Sequence, residues 1–259
     1  MAKMTAPALY AKKGADQKIV CITAYDYTSA LIAQSASPDV ILVGDSLGNV
    51  VLGEETTLGV ELEDILRATY ACAKAVDNAL LVADLPFGSY QTSTEDAVRS
   101  AIACMKAGAS AVKLEGAYTE QIEQIVRAGI PVMGHIGFTP QSVHAFGGHK
   151  VQGKSNADRV ISDAKALDEA GVFSMVLELI PASLSRQITD NCKSPTIGIG
   201  AGIHCDGQIQ VFHDVMGLSP KVYKHAKPYA NGFQEFCSAM NTYVEEVRSS
   251  RFPTEENSF

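Results

Sequence analysis

The chain has 259 residues, 46% hydrophobic and 19% charged, a globular composition rather than a disordered or fibrous one. At this length roughly 70–75% of the unfolded surface can be buried, so the core needs neither disulfides nor a structural metal. Twenty-one Lys and Arg against 29 Asp and Glu leave a net charge of −8, which argues against nucleic-acid phosphates and anionic membrane surfaces as partners.

The first residues, MAKMTAPALYAKKGADQ, lack the apolar segment of a secretory signal. Apolar runs then predict strands at 20–24, 40–45, 80–85, 111–115, 131–135, 174–179, 196–200 and 211–216. They are continuously apolar rather than alternating, the pattern of a parallel sheet covered on both faces. Amphipathic helices fall between them. Leu62, Ile65, Leu66, Thr69, Cys72 and Val76 form one apolar stripe. Val98, Ala101, Ile102 and Met105 form a second, and Val160, Ile161, Ala164 and Leu167 a third. Ser93 with Asp96, and Ser155 with Asp158, read as capping boxes. Gly108, Gly129 and Gly171, each preceded by Ala, read as helix stops.

Eight strands in 259 residues give one βα unit per about 32 residues, the length of a minimal (β/α)8 TIM barrel. A doubly wound open sheet is the competing architecture. One barrel domain is expected over 1–259, with a polar tail from about 249. Two segments are long for βα loops: 46–62, rich in Gly and Thr, and 137–155, with two His and a Gly-Gly pair. Such loops commonly cover active sites.

The six cysteines have no C-x-x-C spacing, the closest pair being Cys192 and Cys205. Buried thiols in a reducing, cytoplasmic compartment are the expectation. No apolar run approaches the roughly 18 residues of a membrane span.

Chemistry in a parallel barrel collects at the carboxyl ends of its strands. Those ends carry Asp45, Asp84, Lys113 with Glu115, His135 and Glu178. Asp45, Asp84 and Glu115 fall on consecutive strands. Crowded carboxylates repel unless a cation neutralises them, and oxygen-only ligation points to Mg2+. Any one of these acids could instead cap a helix. Lys113 and Glu115 share a strand face by the period of two. Such a lysine is a cationic clamp, a Schiff-base nucleophile or half of a structural ion pair. The GIGAG stretch before Ile203 has the place of a phosphate loop without its spacing. His144, His149, His204, His213 and His225 show no ligand pairing.

The segments ITAYDYTSA, GDSLGNVVLG, VADLPFGSY, AVKLEG, GHIGFTPQSV, GGHKVQGKS, VLELIP and GIGAGIHCDGQIQV resemble the ketopantoate hydroxymethyltransferase family over about residues 18–220. The resemblance implies a barrel of the phosphoenolpyruvate/pyruvate type, assembled as a homodecamer. It implies transfer of a one-carbon unit from 5,10-methylenetetrahydrofolate to 2-oxoisovalerate, giving ketopantoate for pantothenate synthesis. By the same resemblance Asp45, Asp84 and Glu115 form the Mg2+ site. Asp45, Ser46, Asp84 and Lys113 hold the oxo acid, and His135 is grouped with them. Glu178 is the proton acceptor. His149 and Ile136 depart from the Tyr and Leu usual in the family. A lyase or mutase of the same superfamily would share the carboxylates, but the Lys-Cys-Gly-His loop usual in those enzymes is missing from this sequence. A metal-free isomerase or binding protein using GIGAG for a sugar phosphate is the reading from a different class.

Overall fold

The computed structural model describes residues 3–219 and 222–259. Eight parallel strands close into a barrel in sequence order: β1 Ile19–Thr23, β2 Val40–Val43, β3 Leu80–Asp84, β4 Ala111–Lys113, β5 Val132–Gly137, β6 Ser174–Glu178, β7 Thr196–Ile199 and β8 Gly207–Gln210. β8 pairs back onto β1, with Ile19 opposite Gly207. The open-sheet alternative is thereby excluded.

Seven strands stand where the apolar runs place them. The eighth is corrected from 211–216 to Gly207–Gln210, and Phe212–Val215 is a helical turn. The strand was hidden by its composition. Gly207 is required because a Cβ there would lie 2.5 Å from the Ile19 carbonyl oxygen, and Gln208 faces outward and exposed.

Inward residues fill the barrel in layers. Cys21, Val40, Leu42, Leu80, Val82, Ala111, Met133, Val176, Ile197 and Ile209 form one apolar cluster. Ala6 and Leu9 join it from a short helix, Ala6–Tyr10, which the sequence pattern did not announce. That helix lies at the amino ends of the strands. The Met4 N–H bonds the Asn78 carbonyl just before β3, and Lys13 pairs with Asp206 just before β8.

Helices cover the outer face. Leu62–Cys72 buries Ile65, Thr69 and Cys72 of its expected stripe together with Ala68, leaving Leu62 and Leu66 half-buried and Val76 past its end. Ala157–Glu169 buries Val160, Ala164 and Leu167, with Ile161 half-buried. Thr94–Lys106 instead buries Ala97, Ser100, Ala101 and Cys104 and leaves Ile102 exposed. Small side chains on that face let the helix approach the barrel closely. Ser93 caps the helix as expected, accepting the Asp96 N–H at 3.0 Å. The other capping box is corrected: Asn156, not Ser155, is the cap residue, and its side-chain amide oxygen accepts the Gly153 N–H. Gly108, Gly129 and Gly171 all adopt positive φ just past helix ends.

By compactness the chain divides into Met1–Phe212, which contains the barrel, and His213–Phe259. The second unit is built on the helix Gly232–Arg248, whose first turn is anchored by the Phe233 N–H on the Gly217 carbonyl. Residues from 251 onward are exposed.

Candidate active site

The period of two that fills the barrel also builds its polar end. On β3, Asp84 continues the inward row of Leu80 and Val82. On β4, Lys113 and then Glu115 follow Ala111. On β5, His135 follows Met133, and on β6, Glu178 follows Val176. Apolar layers thus end in charged residues on four adjacent strands, all at the carboxyl end.

Asp84 and Lys113 stand opposite each other in register. The Lys113 ammonium donates to both Asp84 oxygens, at 2.8 and 2.7 Å, and lies 3.8 Å from Glu115 Oε1. His135 bridges onward, with Nδ1 3.3 Å from Glu115 Oε1 and Nε2 3.3 Å from Glu178 Oε2. These are charge contacts, because neither ring nitrogen has a hydrogen-bond partner of good geometry. Asp45, Asp84, Lys113, Glu115 and His135 are all buried, whereas the Glu178 side chain keeps 16% of its surface exposed.

Asp45 enters the cluster from the loop after β2. Its N–H donates to Asp84 Oδ2 at 3.2 Å, and its Oδ2 accepts the Gln141 side-chain amide at 3.0 Å. It is therefore not a helix cap. The next short helix, Leu47–Val50, starts from Ser46, whose hydroxyl meets the Tyr25 hydroxyl at 2.8 Å instead of capping. Ser46 thus stands next to the cluster in sequence while its recorded side-chain contact is to Tyr25.

The electrostatics follow from burial and crowding. Burial pushes the Asp45 carboxyl well above the usual range, and the charges of Asp84 and Glu115 add to this. Burial also raises Asp84, outweighing the Lys113 ammonium beside it. Glu115 goes the other way: burial opposes its charge, but His135 and Lys113 hold it below the usual range. Burial likewise opposes the His135 charge, yet Glu115 and Glu178 lift its pKa to about 9. Lys113 is raised despite burial, by Asp84, Glu115 and Asp45. An amine held protonated is a poor Schiff-base nucleophile, so the environment favours the clamp.

With all four carboxyls ionised, one ammonium and one imidazolium leave two negative charges uncompensated, the same excess that raises Asp45 and that a divalent cation would relieve. Among the described residues no three His, Cys, Asp or Glu side chains are arranged to hold a metal by themselves. Mg2+ does not require that, since it commonly takes one or two carboxylates and completes its shell with water and substrate. The hard oxygen donors of Asp45 and Asp84, adjacent through the Asp45 N–H, fit such an ion.

Gln141 and Tyr90 belong to the site but carried no signal of their own in the sequence. Gln141 sits on the 3-10 turn Pro140–Ser142 in the loop after β5, and its backbone N–H donates to Glu115 Oε2 at 3.0 Å. The Tyr90 hydroxyl accepts the Glu115 N–H at 3.1 Å and lies 2.7 Å from Gln141 Oε1. The loop folds on itself, with Phe138 packed against Phe146 and His149. GIGAG has a packing role: Gly202 has φ +83, and a Cβ there would lie 2.5 Å from that of Ala182. His144, His149 and His204 are exposed.

The family described as ketopantoate hydroxymethyltransferase matches residues 3–255. The chain is 52% identical over 242 residues to the 3-methyl-2-oxobutanoate hydroxymethyltransferase of Pyrobaculum arsenaticum, covering 92% of each chain. It is 49% identical over 265 residues to the protein of that name from Carboxydothermus hydrogenoformans, covering 100% of this chain and 96% of the other. Among solved structures, 2,3-dimethylmalate lyase, a PEP mutase/isocitrate lyase superfamily member, superposes with a TM-score of 0.63 at 18% identity. That match covers 100% of this chain and 89% of the lyase, and it is a likeness of fold alone.

Proposed function

The chain belongs to the ketopantoate hydroxymethyltransferase family, and from that premise we propose that it transfers a hydroxymethyl unit from 5,10-methylenetetrahydrofolate to 2-oxoisovalerate. The product is ketopantoate, for pantothenate synthesis. The observation carrying the chemistry is the row Asp84, Lys113, Glu115, His135, Glu178 across four adjacent strands, which sets a fixed cation beside a carboxylate that faces the mouth.

Removing the C3 hydrogen of a 2-oxo acid leaves negative charge on the 2-oxo oxygen. Lys113, kept charged by the carboxylates around it, compensates that charge. Glu178 takes the proton, being the carboxylate of the row with its side chain partly open. His135 lies between Glu178 and Glu115, 3.3 Å from each, and balances the charge of both. Ser46, beside Asp45 in sequence and hydrogen-bonded to Tyr25, would bind the substrate carboxylate through its hydroxyl. The C3 carbanion forms a bond to the folate methylene carbon, whose bonds to the folate nitrogens break. One water supplies the hydroxyl oxygen, and tetrahydrofolate leaves.

Asp45, Asp84 and Glu115 would hold Mg2+, directly or through water, as the hard oxygen donors of the cluster. Bound there, the ion supplies Lewis-acid polarisation of the 2-oxo group. The uncompensated charge of the cluster supports this reading. The test is ketopantoate formation from the two substrates, followed by proton NMR, with Mg2+ and with EDTA. No product under any metal condition would refute the activity, and full activity in EDTA would refute the metal.

We also propose a cytoplasmic homo-oligomer, a decamer by family resemblance, without nucleic-acid or membrane partners. All six cysteines are free, four of them buried, and no helix of the described residues is long and apolar enough to cross a membrane. Phe233, Phe236, Met240, Tyr243 and Val247 stand exposed at heptad spacing along Gly232–Arg248, a stripe suited to association. Sedimentation equilibrium measures the copy number, and a monomer would refute the assembly.

A further inference from the structure

The loop after β5 reaches into the carboxylate cluster through a single residue. The amide of Gln141 has two N–H donors and one oxygen with two lone pairs, and all of them are used. Nε2 donates to Asp45 Oδ2 and to the Leu85 carbonyl, both at 3.0 Å. Oε1 faces the Tyr90 hydroxyl at 2.7 Å and accepts from Gln91 Nε2 at 3.1 Å. The two acceptors on the nitrogen side, a carboxylate and a carbonyl, fix which way the amide points, while the Tyr90 hydroxyl also stands 2.9 Å from the Glu115 carbonyl oxygen. Reversing it would set its oxygen against a carboxylate and a carbonyl. Meanwhile the backbone N–H of the same residue donates to Glu115 Oε2.

One residue therefore holds one oxygen of Asp45 and one of Glu115, two acids that arrive from different strands. The companion oxygen of Glu115 stays directed towards His135 and Lys113. Gln141 is 6% exposed, and Tyr90, which orients it, is 1% exposed, so water does not compete for these bonds. A buried network with every member satisfied fixes geometry more firmly than its separate bonds would.

We propose that Gln141 is a positioning residue that couples the seating of the loop after β5 to the alignment of Asp45 and Glu115. The loop and the cluster then assemble together, and a cation bound at the cluster holds the loop down. By linkage the effect is reciprocal: whatever seating the loop adds to cation affinity, the cation adds to loop closure. The cation half of this inference rests on the metal reading above, whereas the loop half rests on the hydrogen bonds alone.

The test uses the full-length protein with Mn2+ as the probe, its binding read by electron paramagnetic resonance without substrate. Amide hydrogen exchange over residues 138–146 is followed in parallel. Gln141→Leu keeps the volume and removes the side-chain polar atoms, and Tyr90→Phe keeps the ring and takes the hydroxyl away from the amide oxygen. Gln141→Leu should weaken Mn2+ by about tenfold or more, the worth of a lost hydrogen bond to a charged group. Tyr90→Phe should shift it in the same direction by less. Mn2+ should slow exchange over 138–146 in the wild type and fail to do so in Gln141→Leu. Wild-type Mn2+ affinity in Gln141→Leu would overturn the proposal. So would a loss of affinity in both variants accompanied by general loss of exchange protection across the barrel, which marks a merely structural role. If the wild type binds no Mn2+, the metal reading fails separately, and Asp45→Ala then decides the loop half. Faster exchange over 138–146 in that variant upholds the coupling, and unchanged exchange overturns it.

Discussion

Both oxygens of Asp84 are taken by the Lys113 ammonium, from strands that place the two residues opposite each other. The pair is almost fully buried, with side-chain exposures of 5% and 1%. A lysine so held cannot readily release its proton, and an aspartate so held cannot swing away. Lys113→Met leaves Asp84 buried beside Asp45 and Glu115 with the ammonium gone. Removing one partner of a buried pair costs about 3–5 kcal/mol. Denaturant unfolding of the variant should show that loss, kcat should fall and the oxo-acid KM should rise. Borohydride added with 2-oxoisovalerate should trap nothing on the wild-type lysine, and an adduct at Lys113 would reverse the clamp assignment.

Asp84→Ala tests the metal reading. A full charge at contact distance is worth about 4 kcal/mol at an effective dielectric of 20, so Mg2+ affinity should drop by roughly a hundredfold or more. Titration calorimetry measures it directly. Activity should return partly at high Mg2+ if the ion still lodges on Asp45. Full activity at low Mg2+ would remove Asp84 from the site.

The barrel was legible because a parallel strand covered on both faces is apolar throughout, and seven runs such as Val40–Val43 met that description. β8 was not, because close approach to Ile19 demands Gly207 and the exposed side demands Gln208. Asp84, Lys113 and Glu178 were legible for a related reason: a polar residue that ends an inward row has nowhere to point but the barrel mouth. Gln141 was not, since its amide meets Asp45 across 96 residues of sequence and nothing in Thr-Pro-Gln-Ser announces that partner. Side-chain networks that close only in three dimensions leave no periodic trace.

At the amino end of the barrel, Asp206 predicts a pH dependence. It accepts from Lys13 Nζ at 2.8 Å, Gly14 N at 3.0 Å and Thr196 N at 2.8 Å. Burial opposes its charge, but the Lys13 ammonium and these N–H groups hold its carboxyl below the usual range. A carboxyl lowered on folding contributes its full stability above the unfolded value of about 3.9 and loses it as the pH falls through the folded value. Asp206→Asn should therefore cost about 1.5–3 kcal/mol at pH 7, the worth of hydrogen bonds to a charged group. In urea unfolding followed from pH 7 to pH 3, the gap between wild type and variant should narrow towards the acid end. A gap constant with pH would mean that the charge of Asp206 contributes nothing.

Glu178 carries the most exposed claim in the proposed chemistry, that proton removal precedes carbon transfer. If Lys113 and the cation acidify C3 without help from folate, the wild type should exchange the C3 hydrogen of 2-oxoisovalerate with D2O in the absence of folate. EDTA should stop that exchange. Glu178 ends β6, its backbone carbonyl accepts the Phe138 N–H at 2.8 Å, and His135 Nε2 lies 3.3 Å from its carboxyl. Glu178→Gln keeps the shape and removes the basic oxygen, so exchange should fall by roughly 10²–10⁴-fold, the usual worth of a general base. Proton NMR of the C3 signal measures both rates. If Glu178→Gln exchanges normally yet forms no ketopantoate, Glu178 serves the folate half of the reaction and the proton has another acceptor. If the wild type never exchanges C3, even with a folate analogue present, carbon–carbon bond formation does not pass through a free enolate in this protein.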